Sequence, residues 1–194
     1  MRLDHREIEE FAREKIEGNS RGAHAFNHVK RVYALSIKIG KEMGANLKIL
    51  GAAALLHDVG RPKERETGVS HSILSGEISH EILLKVRYDA EEIKSVVDAI
   101  RTHRFSEGLE PNSLEGKILS DVDKLDAIGA IGVYRAIAQA ETSGSGIKGF
   151  LKHADEKLLR LKDLMYTDEA RVVAEERHKT LESFVLRLRE EYEV

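Results

Sequence analysis

The sequence predicts an all-α fold, a single domain built as a bundle of about eight or nine helices. Three observations predict it. Apolar residues recur at helical spacing along almost the whole chain, and no segment alternates polar and apolar residues over a useful length. The two prolines, Pro62 and Pro111, both fall at boundaries between periodic stretches, where a helix tolerates them. The 194 residues suit one domain with a substantial core, and no repeat or low-complexity segment divides them.

Each element follows from its own pattern. A first helix is expected from Asp4 to Glu17, with Ile8, Phe11, Ala12 and Ile16 inward, and the run Gly18 to Gly22 breaks it. A second runs from near Phe26 to Met43 on a stripe of Val29, Val32, Leu35, Ser36 and Ile39, and Gly44 stops it. The third, Leu47 to Asp58, is apolar nearly all round, which places it at the centre of the bundle. A polar loop is expected from Gly60 to Val69. Ser70 caps a helix to about Val86, and Asp89 caps another to about His103. After a loop with Gly108 and Pro111, Ser113 caps a helix carrying Ile118, Leu119, Val122 and Leu125. A small-residue helix spans Ala127 to Ala140, followed by a Gly/Ser surface loop from Thr142 to Gly146. Two amphipathic helices close the chain, Phe150 to Met165 and Thr167 to Tyr192.

Composition narrows the function. The net charge of −3 and an aromatic content of 5%, with no basic stripe, argue against a nucleic-acid partner. No apolar run approaches the roughly 20 residues a membrane span needs, and the N-terminus lacks the apolar core of a signal peptide, so a cytoplasmic location and no membrane partner are expected. With no cysteine, any metal must be held by His, Asp, Glu, backbone or water. Nine histidines are an excess for this length, and several fall at helix ends or on apolar faces.

The pair His57-Asp58 ends the apolar third helix, just before Gly60 and Pro62. Adjacent helical residues point about 100° apart, but at a helix end both can turn toward one point. His28 precedes an apolar Val29, and Asp123 lies among Leu119, Val122 and Leu125. Taken singly, His57 is explained by a core hydrogen bond to a carbonyl, and Asp123 by a cap or buried salt bridge. Together the four provide two imidazoles and two carboxylates, enough to neutralise one divalent ion. That donor set suits Mn, Co, Ni, Fe or Zn better than Mg alone.

The ordered set His28, His57-Asp58, Asp123 resembles the HD-domain metal-dependent phosphohydrolase superfamily. The resemblance extends to His24–Val32, Leu55–Arg61, His71–Ile78, Ile100–Arg104 and Leu114–Gly129. It covers residues 20–135 and is nearest the branch of small stand-alone HD hydrolases that includes bacterial nucleotide pyrophosphohydrolases. That branch often carries Asp where this chain has Ala25, a departure from its pattern. The resemblance implies a helical HD domain over residues 1–194, with the metal-site core at about 20–135 and C-terminal helices at about 150–194. It implies one divalent metal on His28, His57, Asp58 and Asp123.

The expected chemistry is attack of a metal-activated water on a phosphorus, with fixed cations stabilising the charge that develops. Asp58, Lys124, His71 and Glu77 are the candidates for catalytic roles. Arg31, Arg61, Lys63, His103 and Arg104 are the candidates for binding substrate; for each cation a solvated side chain is the plain alternative. His5, His153 and His178 sit on charged faces and carry no assigned role, and Asp126 is read as orienting Lys124 or a ligand. A small nucleotide is the expected substrate, and nucleoside triphosphate pyrophosphohydrolysis the favoured reaction. Nucleotide phosphomonoesterase and cyclic-nucleotide phosphodiesterase activity are the alternatives within the class. A non-catalytic, metal-containing nucleotide-binding module is the alternative outside it. The small-residue or C-terminal helices could support a homodimer, and no sequence feature demands one.

Overall fold

The computed structural model describes residues 5–17, 24–104 and 107–192. Among these the chain is all-α: ten α-helices and one 3-10 segment, with no strand. They are α1 (Arg6–Glu17), α2 (His24–Met43), α3 (Leu47–Leu56), α4 (Arg61–Thr67), α5 (His71–Lys85), α6 (Ala90–Thr102), α7 (Leu114–Asp126), α8 (Gly129–Thr142), α9 (Gly146–Glu156), the 3-10 segment Leu158–Leu164, and α10 (Asp168–Tyr192). The expected start at Asp4 and the break at Gly18 to Gly22 lie outside the described residues. The helices form two compact units, residues 1–120 and 121–194. No helix of the described residues is long and apolar enough to cross a membrane.

In the first unit α3 is the centre, and every residue from Ile49 to Leu56 is buried. Asn46 starts it, its side chain accepting from the backbone N–H of Lys48 (3.1 Å) and Ile49 (3.4 Å). Helices α2, α6 and α1 pack around it. Gly51 of α3 makes room for the ring of His5, where a Cβ would lie 2.3 Å from Cε1. His5 is therefore a buried structural residue, not the ordinary surface histidine the sequence suggested; its ring nitrogens meet Tyr33 Oη (3.1 Å) and the Lys48 carbonyl (3.2 Å).

Two expectations change. The stretch Gly60 to Val69 is not an irregular loop: Arg61–Thr67 is helical, with Pro62 in its first turn and Gly68 ending it at φ +72°. The polarity of Arg61, Lys63, Glu64 and Arg65 hid a short helix that buries none of its residues. The helix expected from Phe150 to Met165 divides at Lys157 into α9 and the 3-10 segment. By contrast, α6 opens with a full capping box, Asp89 and Glu92 each accepting from the other's backbone N–H (2.9 and 3.0 Å).

In the second unit α8, α9, the 3-10 segment and α10 pack on one another over Phe150, Ala154, Leu158, Leu161, Ala170, Ala174 and Leu181. Its buried polar centre is Asp121, which accepts from the backbone N–H of Tyr166 (2.9 Å) and Thr167 (2.8 Å) and from the Thr167 hydroxyl (2.8 Å). His178 is also buried here, against the surface placement the sequence suggested.

Candidate metal centre

The site grows out of the end of α3. After Leu56 the backbone turns through His57, Asp58, Val59 and Gly60, all buried, before α4 begins. Gly60 has ordinary right-handed geometry (φ −83°). What requires glycine is space: a Cβ there would lie 2.7 Å from Leu74 Cβ and Ser75 N, and 2.8 Å from the His71 carbonyl oxygen. The Gly60 N–H donates to Ser75 Oγ at 2.9 Å, so the turn is clamped against α5.

That turn brings His57 and Asp58 to His28 of α2. His28 Nε2 and His57 Nε2 are 3.3 Å apart. Asp58 Oδ2 lies 3.6 Å from the first and 3.7 Å from the second. Helix α5 supplies His71, with Nε2 3.5 Å from Asp58 Oδ1, and His103 follows α6 with its ring 5.2 Å from His57 and 5.4 Å from His71. Two buried groups thus have ligand atoms close enough to share an ion, His28/His57/Asp58 and Asp58/His71/His103, with Asp58 common to both.

The protons can be located from the outer contacts. His57 Nδ1 faces the Ala54 carbonyl at 2.8 Å and His103 Nδ1 the Ile100 carbonyl at 2.5 Å, so each Nδ1 donates and each Nε2 carries a lone pair. His71 Nδ1 donates to Glu64 Oε2 at 2.9 Å. A carbonyl or carboxylate behind each imidazole is the usual support of a metal-binding histidine. Asp58 Oδ1 and His71 Nε2 are buried and have no hydrogen-bond partner among the described residues. Two acceptors face one another, an arrangement that fits a cation or a donor between them. The donor set therefore fits a divalent metal.

Charge is tuned around Asp58. Burial alone would raise its pKa, but the Arg61 guanidinium (Nε to Oδ2, 2.6 Å) and the His57, His28 and His71 rings hold its carboxyl well below the usual range. Burial and the Arg61 cation draw the His71 pKa below that of an ordinary imidazole, outweighing the opposing pull of Asp58 and Glu64.

The other expected residues differ in where they lie. His71 and His103 join the cluster, and Arg61 touches it through Asp58. Arg31 is partly exposed one turn after His28, and Lys63 is exposed on α4. Arg104 is engaged by Glu64 Oε1 (2.7 Å) and Glu107 Oε1 (3.3 Å). Glu77 lies apart from the cluster. It is exposed on the outer face of α5, in a shallow pocket with His80 and Arg101, because His71, Ser72, Ser75 and Ser79 take the buried face. Asp123 and Lys124 belong to the second unit; Asp123 as a metal ligand and Lys124 in a catalytic role rest on the sequence pattern. Lys124 is buried, 3.7 Å from Asp121 Oδ1 and 4.6 Å above the Tyr166 ring. Burial draws its pKa down against the opposing pull of Asp121 and Asp123. Asp126 pairs with Arg135 at 2.5 Å.

Sequence reasoning missed Glu64. It sits in the stretch read as a loop, and one signal could have marked it: it lies seven residues before His71, across a Gly68 stop and a Ser70 cap.

Comparison with known proteins places this geometry. The HD domain family model matches residues 25–128, more than half of the chain. The chain is 39% identical over 173 residues to the uncharacterized protein YpgQ of Bacillus subtilis, covering 85% of this chain and 82% of that one. A crystal structure of YpgQ in complex with ADP superposes with a TM-score of 0.77 at 32% identity, over 95% of this chain and 92% of the other. The structure of a predicted HD superfamily hydrolase from an uncultured Thermotogales bacterium gives 0.72 at 33% identity, over 97% and 93%. The buried His and Asp groups fall inside the matched region, and the chain belongs to the HD-domain family of the HD-superfamily hydrolases.

Proposed function

We propose that this chain is a divalent-metal-dependent phosphohydrolase of small nucleotides, and that its reaction is nucleoside triphosphate pyrophosphohydrolysis, giving monophosphate and pyrophosphate. The observation that carries the reading is the pair of buried ligand groups that share Asp58. His28, His57 and Asp58 are the ligands that meet in space, and the sequence order adds Asp123 as the fourth. A divalent ion there would lower the pKa of a bound water and polarise a phosphoryl oxygen.

The chain's own groups divide the remaining work. His57 keeps its Nδ1 proton on the Ala54 carbonyl and so presents only a lone pair inward. His71 and His103 present bare nitrogens near Asp58, suited to a water proton or to a further ligand position. Arg61 reaches Asp58 from a half-exposed position, so it can also meet an incoming phosphate, with Arg31 and Lys63 as further cations. Lys124 is proposed as the buried cation beside the Asp123 ligand. The ADP complex of the YpgQ relative supports a nucleotide as the bound partner.

The test is a panel of NTPs, dNTPs, NMPs and cyclic nucleotides with Mn, Co, Ni or Mg, with products identified by chromatography. Release of pyrophosphate and NMP from a triphosphate, lost in Asp58→Ala, is the expected outcome. Orthophosphate from monophosphates would move the assignment to a phosphomonoesterase. Metal and nucleotide binding without turnover under any metal would leave a binding module.

A further inference from the structure

The structure shows one acidic group in contact with the cluster's outer side that neither the ligand set nor the substrate contacts use. Glu64 of α4 lies behind His71. Its Oε1 accepts from the His71 backbone N–H at 3.1 Å, and its Oε2 faces His71 Nδ1 at 2.9 Å. One carboxylate thus holds both the first N–H of α5 and the ring of the same residue. Glu64 is itself fixed by Arg104 Nη1 at 2.7 Å. Arg104 Nη1 also reaches Ser70 Oγ and Glu107 Oε1, each at 3.3 Å, while Glu107 Oε2 accepts from Ser72 Oγ at 2.7 Å. The carboxylate therefore cannot swing away without breaking the cap of α5.

We propose that Glu64 is a positioning residue that locks His71 in the Nδ1–H tautomer and so turns its bare Nε2 toward Asp58. The argument is one of competing acceptors. A neutral imidazole has one N–H, and His71 lies between two carboxylates. Glu64 Oε2 is at 2.9 Å from Nδ1, whereas Asp58 Oδ1 is at 3.5 Å from Nε2. The proton belongs to the shorter contact. Without Glu64, the proton would move to Nε2 and His71 would donate to Asp58 Oδ1, occupying the carboxylate oxygen that the cluster leaves without a hydrogen bond. The tautomer, and with it the polarity of the Asp58/His71/His103 group, is set from outside the cluster.

The proposal rests on the metal-centre reading, but its first readout does not need activity. Long-range nitrogen-edited NMR of the metal-free protein, at a pH where the ring is neutral, reports which nitrogen of His71 carries the proton. The wild type is expected to show Nδ1–H and Glu64→Ala to show Nε2–H. Glu64→Gln keeps one acceptor oxygen, which the His71 N–H and Arg104 both claim, so its amide NH2 faces Nδ1 and it too should show Nε2–H. Arg104→Ala, which loosens the same surface network but leaves the Glu64–His71 contact, should keep the wild-type tautomer while lowering Tm. Mn affinity by calorimetry should then fall about 10–100-fold in Glu64→Ala, the usual effect of losing an outer contact, and fall likewise in Glu64→Gln. An Nε2–H wild type, or a Glu64→Ala protein that keeps Nδ1–H, overturns the proposal. Failure of the nucleotide panel with the expected tautomers would overturn the hydrolase reading and leave the positioning role intact.

Discussion

Two buried aspartates do opposite things in this protein. Asp121, in the second unit, is 0% exposed and has both oxygens occupied, by the N–H groups of Tyr166 and Thr167, the Thr167 hydroxyl and the Lys124 ammonium. Asp58, in the first unit, is 5% exposed and meets three histidines and Arg61, yet its Oδ1 has no hydrogen-bond partner among the described residues. Burial is equal and satisfaction is not. A carboxylate with its lone pairs filled from the backbone is a structural joint, tying α7 to the start of α10. A carboxylate with one oxygen on Arg61 and the other left without a hydrogen bond beside imidazole nitrogens is able to hold a cation.

That contrast can be broken by mutation. The largest effect is expected from Asp58→Ala, which should abolish metal-dependent hydrolysis and weaken Mn binding by more than the roughly 100-fold upper range of an outer contact. The metal-free protein should stay folded and lose less Tm than Asp121→Ala does, because Asp58 leaves one oxygen without a hydrogen bond where Asp121 fills both. A large fall in metal-free Tm would place Asp58 with Asp121 as a structural residue. Asp121→Ala should do the reverse. It leaves Lys124 buried without Asp121 and takes the acceptor from two backbone N–H groups, so denaturant titration should show a loss of about 3–5 kcal/mol. A loss under about 1 kcal/mol would contradict its reading as a joint.

Gly60→Ala probes the clamp that delivers Asp58. Its Cβ would press on backbone atoms of α5, which cannot rotate away, and overpacking of this kind costs about 1–3 kcal/mol. Calorimetric Tm checks it, and metal affinity should fall with it. The smallest effect is in pH. Burial raises Glu64 and Glu107, but His71 and Arg104 for the first, and Ser70, Ser72 and Arg104 for the second, bring both below the ordinary glutamate value of 4.5. Between those lowered values and 4.5 the unfolded chain binds more protons than the native one. Stability from these groups is complete above that window and is lost as pH falls through it. Glu64→Gln should flatten the acid limb of Tm against pH; an unchanged limb would show that Glu64 is not held below its ordinary value.

Most of the helical scaffold was legible because its signals are local. Ser70 and Asp89 sit where caps are needed, and the unbroken apolar run of α3 announces a central helix. His57 and Asp58 were legible because a polar pair at the end of such a run is chemically odd. Helix α4 was not, since it buries nothing and so has no apolar stripe to read. The side of α5 on which Glu77 falls was not legible because the helix has little amphipathic contrast: its buried face includes His71, Ser72, Ser75, Gly76 and Ser79. Small polar residues inside a helix pair look like a solvated face.

The sequence by itself determined the all-α class, most of the helices in their order and the chemistry of the donor set, because helix periodicity, caps and residue type are properties of neighbours along the chain. Only the tertiary structure decided that His71 and His103 share Asp58 while Glu77 does not, that Glu64 stands behind His71, and that Asp121 is filled where Asp58 is not. Those facts depend on which side chains from different helices reach one point and where each ring places its proton. Spacing along one chain does not encode either.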